Sequence, residues 1–497
     1  LLIGWIAAVA ITLAGTVQDT DPYWQIRAGL ENLDGVPLAR PDAWSWDPVG
    51  GLFYPNSPAW NTVLALSWRA MGYWGLYVVT VATIAACLGL VAWLSIRLGA
   101  HAVVTVVVLL VTSAGILPVL SPRPALAAQV LLLLAFALAA WWGDRAARLG
   151  PWANGAIALV AGFGISLAGN WIHLSWSTLA IATAAGWAVI WLLLDGLRMA
   201  TRLLLVAAGT IGLVGGVLAG PYGLEVTERS AAVVRACRDL IVEWTSPFSP
   251  EFAIRWGPEA LLVAATVLLA FVWAVRTVTR SGRSDERLPL AAALTVVALP
   301  YAVAGLALIR FVPVALATIA PVLAAGLTVG VRRLAGRTNP VPESAGYVRR
   351  RLPEWLSARF WRVILWAVLI LLAPLAVFAG SRHAEPATAN VDALLPTGCR
   401  MFGTSIEAAS IILDRPDVKV WVDGRADYWG RERLVLADHY LYEVDQPTLV
   451  PPGTTCVVLM DDQSDSGLSR LTAALDASPD WHRVPGTTGA NLWLPAR

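Results

Sequence analysis

WGLYVVTVATIAACLGLVAWLSI, residues 74–96, is an uninterrupted apolar run without a single charged side chain. A stretch of about 20 such residues, wound as an α-helix, is long enough to cross the hydrocarbon core of a bilayer. Similar runs recur on both sides of it, near residues 1–17, 101–119, 124–142, 152–170, 175–194, 203–220, 258–275, 288–306, 311–330 and 362–380, eleven in all. Hydrophobic residues make up 57% of the chain, charged residues 14%, and the mean hydropathy is +0.64. That balance lies outside the range of soluble globular domains. With a net charge of only +2, the chain carries no electrostatic footprint for nucleic acid.

The loops between these runs alternate in character. Arg97, then Arg145 and Arg148, Arg198 and Arg202, the group Arg276, Arg280, Arg283 and Arg287, and the segment from Arg332 to Arg362 fall in every second loop. Basic loops stay cytoplasmic. The complementary loops, 18–73, 120–123, 171–174, 221–257, 307–310 and everything after 381, are therefore expected outside, with the N-terminus inside. The expected architecture is an α-helical polytopic membrane domain of about 11 transmembrane helices over residues 1–380, followed by a small extracytoplasmic α/β domain over 381–497. The sequence begins at Leu1 inside an apolar run, so a short cytoplasmic head is expected before it, and no cleavable signal peptide is evident. Lys419 is the only lysine, a usage that, with abundant Ala, Val and Leu, suggests a GC-rich bacterial genome.

In the C-terminal part, period-two apolar runs near 418–423 and 455–460 alternate with helical stretches near 404–414 and 467–477, and a final pair of strands is expected around 481–494. Thr404 and Glu407 have the spacing of a capping box. Cys399 and Cys456 share this compartment, where a disulfide would persist; Cys237 lies in an outer loop, and Cys87, mid-span, reads as packing. Asp423-Gly424-Arg425, followed by Asp427 and Tyr428, sits at a strand end. It reads either as an ion-paired turn or as a sugar-contacting or acceptor-orienting loop.

The first outer loop, 18–73, is too long and too rich in tryptophan (Trp24, Trp44, Trp46, Trp60, Trp68) for a plain connector. Tryptophan favours the membrane interface, so helices lying along the outer leaflet are one expectation. The acids require another. Pro22 disfavours the helical conformation for Asp21, and around an extended Thr20 the carboxylates of Asp19 and Asp21 would project to one side. Such a pair can divide acid–base duties, or one member can cap the helix that Pro22 begins. Asp19 is the preferred base, because Asp21 is better placed to cap. Arg27 follows one turn after Trp24. Other polar residues fall in the same set of loops: Arg123 within Ser121-Pro122-Arg123-Pro124, Asn170 and His173, Tyr222 within Pro221-Tyr222-Gly223, Glu243, and Arg310. Arginine outside runs against the positive-inside tendency, so Arg123 and Arg310 read as anion-binding, with snorkelling as the plainer account.

The order of these motifs resembles the GT-C superfamily of membrane glycosyltransferases, and within it a bacterial group with an Asp-Pro-aromatic-Trp first loop, here Asp21-Pro22-Tyr23-Trp24. The resemblance covers the whole chain and includes Gly35-Val36-Pro37 with Asp42, Arg123-Pro124, Asn170 with His173, Pro221-Tyr222-Gly223 and Asp423-Gly424-Arg425. It implies a sugar donor carried on a polyprenyl phosphate and inverting transfer to a cell-envelope glycan, lipid or protein. It further implies Asp19 or Asp21 as base, a donor phosphate held by Arg123, Arg310 and His173, and substrate contacts from Trp24, Arg27, Asn170, Tyr222, Glu243, Asp423 and Arg425. No cofactor is required; a divalent cation, Mg2+ or Mn2+, is compatible, although two carboxylates alone make too few ligands for a cage. The rival readings are a noncatalytic glycan-binding or export scaffold and a lipid-sugar transporter. The latter should show internal repeats or midplane charges.

Overall fold

The computed structural model describes residues 2–14, 21–116, 121–223, 239–280, 286–334, 389–443, 448–460, 466–487 and 489–496, with isolated positions between 232 and 237 and between 374 and 378. Asp19 and most of the apolar run at 362–380 lie outside the described residues.

Among the described residues eight helices are long and apolar enough to cross a membrane: α4 (Tyr73–Arg97), α6 (Pro124–Ala146), α7 (Pro151–Ile172), α8 (Trp176–Leu193), α9 (Met199–Leu218), α10 (Ala253–Arg280, of which Ala253–Thr279 is the span), α11 (Leu288–Gly305) and α12 (Phe311–Leu334). Two further expected spans fall on shorter apolar helices, α1 (Leu2–Ala14) and α5 (Ala102–Gly115). The chain is thus a polytopic membrane protein. Its bundle packs in part through glycine. Helices α7 and α9 approach so closely that a Cβ on Gly212 would lie 2.2 Å from the Leu159 carbonyl oxygen, and one on Gly162 would lie 2.6 Å from that of Gly209. Between lipid-embedded helices, such backbone contact replaces the missing hydrophobic drive.

The first loop is folded rather than laid flat. Helices α2 (Asp21–Leu33) and α3 (Pro58–Met71) pack on each other, joined through a short antiparallel pair, β1 (Arg40–Pro41) and β2 (Leu52–Phe53). Trp24, Trp44 and Trp60 are buried at 3%, 5% and 7% exposure, so the expectation of a tryptophan interface belt fails for these three. Their indole N–H groups reach protein acceptors: Trp44 donates to Glu31 at 2.8 Å and Trp60 to the Pro122 carbonyl at 2.7 Å. Trp24 and Trp44 join one core with Val391, Met401, Ile411 and Val420 of the C-terminal domain.

That domain holds a five-stranded sheet, order β4-β3-β5-β7-β6, built from β3 (Arg400–Gly403), β4 (Lys419–Val420), β5 (Cys456–Met460), β6 (Trp481–Arg483) and β7 (Ala490–Pro495). The β4-β3-β5 side is parallel and the β5-β7-β6 side antiparallel. Helices α13 (Ser405–Asp414), α14 (Ala426–Tyr442) and α15 (Ser466–Ala477) complete it. The expected α/β alternation is present. Strand β4 is shorter than the 418–423 run, and β3 and α14 were not anticipated, since β3 is too short for a period-two signal and α14 is mostly polar. Helix α14 is broken at Gly430, φ 70°, a conformation glycine adopts without penalty. Thr404 caps α13 by accepting from the Ile406 N–H, while Glu407, fully buried, accepts from the Met460 N–H at 2.7 Å. Cys399 and Cys456 pair as a disulfide, their Cα atoms 6.1 Å apart.

The free edge of β4 is covered by the first loop. Ser45 bridges Val420 in parallel, with Val420 N–H donating to the Trp44 carbonyl and Trp46 N–H to the Val420 carbonyl, so residues 44–46 act as a sixth strand supplied from 375 residues upstream in sequence terms. An edge paired in this way offers no template for other chains.

Candidate functional site

At one end of the bundle the polar loop residues meet. Helix α2 begins at Asp21 itself rather than after an extended Asp21, with Pro22 in its first turn, where a missing N–H costs nothing. Asp21 Oδ1 accepts from Trp24 Nε1 at 3.3 Å, and its Oδ2 lies 3.4 Å from Arg123 Nε. Arg123 caps α6 in an extended conformation, φ −80° and ψ 148°, the region that the following Pro124 imposes. The Trp60 indole anchors the carbonyl of the preceding Pro122, which fixes the turn on α3.

Arg123 Nη1 and Arg310 Nη1 then converge on one atom, Glu243 Oε1, at 3.4 and 3.2 Å. Glu243 lies in the short 3₁₀ turn Val242–Trp244. Its carbonyl accepts from the Arg310 N–H at 2.9 Å, and the Thr245 carbonyl accepts from that of Ile309, so two main-chain bonds lock the turn to the start of α12. Asp21, Arg123, Glu243 and Arg310 are formally neutral together, and their side chains are 25–30% exposed. They stay open to a ligand.

His173 follows α7 and is buried at 8% exposure. Burial, then the Arg310 charge, pushes its pKa down to about 3. Its Nδ1 accepts from the Ser175 N–H at 3.0 Å, which leaves the proton of the neutral ring on Nε2. His173 therefore adds no positive charge to an anion site; it can offer one N–H.

The remaining residues singled out in the sequence divide among other tasks. Arg27 pairs with Glu31 one turn on, and Glu31 also holds Arg40 and the Trp44 indole. Asn170, 1% exposed, donates to the Val217 carbonyl and ties the ends of α7 and α9. Tyr222 donates to the Pro55 carbonyl at 3.0 Å and meets Tyr54 edge-on, with burial raising its pKa. Asp423 and Arg425 take the ion-paired form. Arg425 is fully buried, donates to both Asp423 oxygens and to Asp42 Oδ1, and lies 4.4 Å from the centroid of Trp44 and 4.7 Å from that of Phe53. Burial opposes the guanidinium charge, but Asp423 and Asp42 outweigh it and hold the pKa above its ordinary value. A group enclosed in this way does not reach a sugar. It staples the first loop to the C-terminal domain.

Between those two residues stands Gly424. A Cβ there would lie 3.0 Å from Asp21 Oδ1 and 3.6 Å from Trp24 Nε1, so the main chain of the C-terminal domain rests directly against the Asp21 carboxylate. Three residues on, Asp427 lies in the first turn of α14, half-buried. Arg40 and Glu31 were not identified as site residues in the sequence, and Asp427 only as a member of the loop at the strand end; the spacing of Arg27 and Glu31 at i and i+4 was the one local signal for the first two. Among the described residues no group of three or more His, Cys, Asp or Glu side chains is placed to hold a metal ion.

No protein-family model matches the chain. No curated protein matches it either.

Proposed function

We propose that the protein is a glycosyltransferase of the outer face of a bacterial cytoplasmic membrane, transferring one sugar from a polyprenyl phosphate to a cell-envelope acceptor with inversion. The observation that carries this reading is the Asp21–Arg123–Glu243–Arg310 chain, a carboxylate beside two guanidiniums at the end of a helical bundle. A donor anchored by its lipid would bring its phosphate to headgroup depth, where nucleotide sugars are absent and the leaving group must arrive already activated. The positive-inside pattern supports the orientation, N-terminus cytoplasmic and C-terminal domain outside.

In this reading the acceptor oxygen attacks the anomeric carbon while the bond to the phosphate oxygen breaks, and the electron pair leaves with the phosphate. Arg123 and Arg310 stabilise that developing charge, with Glu243 holding both guanidiniums in place beforehand. The proton of the acceptor hydroxyl passes to a carboxylate, Asp21 or Asp19. Asp21 and Glu243 both lie 3.4 Å from Arg123, and since Glu243 also holds Arg310, Asp21 takes this role here. One displacement needs one base, and no glycosyl-enzyme forms.

The test is transfer from radiolabelled polyprenyl-phosphate sugars by the full-length protein in bilayers. Asp21→Asn is expected to lower the rate by about 10²–10⁴-fold, the usual worth of general-base catalysis. Transfer by D21N at the wild-type rate, or no transfer by the wild type from any such donor, would overturn the reading.

A further inference from the structure

We infer that helix α3 is seated in the bilayer leaflet nearest the Asp21–Arg123 cluster, and that its face bearing Val63, Leu66 and Ala70 is covered by lipid acyl chains. The inference goes beyond the transferase reading and does not rest on it.

Helix α6 gives the depth. Its exposed apolar side chains, Leu134, Leu138 and Trp141, follow one another at steps of four and three residues and so form one stripe along the helix. In a span, such a stripe faces lipid. Continued toward Pro124 at the same steps it reaches Leu131, half-buried, and then Ala127, buried. What meets Ala127 is α3, since Trp60 and Leu64 share its buried cluster and the Trp60 indole reaches the Pro122 carbonyl just before α6 begins. At 1.5 Å per residue, Ala127 stands about 10 Å from Leu134 along the axis. Helix α3 therefore lies across the lipid-facing side of α6, at a depth where acyl chains would otherwise touch that span.

The faces of α3 agree. Trp60, Leu64 and Trp68 pack inward at intervals of one turn. Asn61 and Ala65 face α2, where a Cβ on Gly29 would lie 2.0 Å from the Asn61 carbonyl oxygen and 2.8 Å from the Ala65 Cβ. One turn beyond Ala65 on that flank, Arg69 pairs with Asp34, and both are exposed, which marks the watery side. The remaining side carries Val63, Leu66 and Ala70 at i, i+3 and i+7, with Val63 42% and Leu66 53% exposed. An aliphatic row beside a charged flank is the division of an interfacial helix, here with its tryptophans turned inward and its aliphatic residues outward.

The occupant follows from continuity. Helices α3 and α4 are joined by Gly72 alone, and a Cβ on Gly75 would lie 2.2 Å from the Ser67 carbonyl oxygen, so α3 is held against the first turn of a span. Exposed Met71 at its end is followed by exposed Trp74 and Val78 on α4. A surface that borders the exposed apolar stripe of α6 on one side and that of α4 at its end takes the solvent those stripes take, which is lipid.

The experiment puts one environment-sensitive fluorophore at a time on the full-length protein in liposomes, at Val63→Cys, Leu66→Cys and Arg69→Cys of α3. Leu138→Cys of α6 serves as the lipid reference and Ala473→Cys, exposed on α15, as the water reference. The unsubstituted protein, whose free Cys87 and Cys237 are buried, gives the background. Spin-labelled acyl chains should quench the V63C and L66C labels to the extent that they quench L138C, and iodide should quench them severalfold less than A473C. The R69C label, about a third of a turn from Val63, should follow A473C. Either aliphatic position suffices should the other variant fail to fold. Iodide quenching of V63C and L66C at the A473C level overturns the inference. So does shielding of both from lipid and iodide alike, the result expected if a second copy or another segment of the chain covers this face.

Discussion

Two guanidiniums on a single carboxylate oxygen make Glu243 the residue on which the rim electrostatics turn. Arg310→Gln removes half of the clamp and is expected to weaken polyprenyl phosphate binding about tenfold, with a shallower salt dependence. Glu243→Gln shifts the cluster by one positive unit, so phosphate should bind at least as tightly as in the wild type while transfer slows, because the arginines lose their common anchor. Lipid binding at two ionic strengths separates the two variants. Two other residues at this scale give opposite pH responses. His173 stays neutral when folded, with a pKa near 3, and gains a proton on unfolding below its ordinary pKa of about 6.5; its contribution to stability is therefore lost as pH falls. One unit below 6.5 that loss is about 1.4 kcal/mol. Asp427, raised to about 6, binds its proton more tightly folded than unfolded, so its contribution grows as pH falls from 6 toward 4. Thermal unfolding followed between pH 7 and 5 should show a flatter acid limb for His173→Gln and a steeper one for D427N.

At the scale of elements, the seam between the first loop and the sheet is held by strand addition and by one buried cation. Residues 44–46 cover the β4 edge, Trp46 Nε1 donates to the Met401 carbonyl at 3.1 Å, and Arg425 bridges Asp423 to Asp42 across the seam. Arg425→Met leaves two buried carboxylates facing each other. The expected cost is about 3–5 kcal/mol, read as early unfolding of the C-terminal domain by tryptophan fluorescence. In the membrane, Gly212→Leu forces α7 and α9 apart, since even a Cβ would overlap the Leu159 carbonyl oxygen. Detergent-extracted protein should lose its monodisperse peak, while Gly164→Leu, where a Cβ meets nothing within 4 Å, should not.

For the whole molecule the consequence is that the first loop and the C-terminal domain share one core. Asp414 accepts a hydrogen bond from Tyr73 at the start of α4 at 2.6 Å, α13 packs on α2, and Gly424 covers Asp21. Cutting the chain after residue 388 would expose Trp24, Trp44 and Phe53, all buried at 5% or less. Activity should disappear with the domain rather than persist at a lower level, and separately expressed domains should not restore it. The Cys399–Cys456 disulfide closes a separation of 57 residues, and its removal by Cys399→Ser is expected to destabilise the C-terminal domain by about 2–4 kcal/mol in a denaturant titration.

The spans, the two-part organisation and the polar motifs could be read from the sequence because each is local: a hydrophobic run declares a helix in lipid wherever its partners lie, and proline or arginine at a span end constrains only its neighbours. Residues 74–96 and the turn at 121–124 are examples. The partnerships could not be read this way. Nothing near Asp423 and Arg425 announces that Asp42, nearly four hundred positions earlier, completes their cluster, or that a glycine between them lies against Asp21. The tryptophans of the first loop have an interfacial composition, yet Trp24 and Trp44 are buried in a core shared with the C-terminal domain and Trp60 mainly among the helices. Tertiary structure decided these points, because charge pairing, desolvation and main-chain approach depend on separation in space, which loops of 18–73 and 381–497 leave free until the two segments fold together.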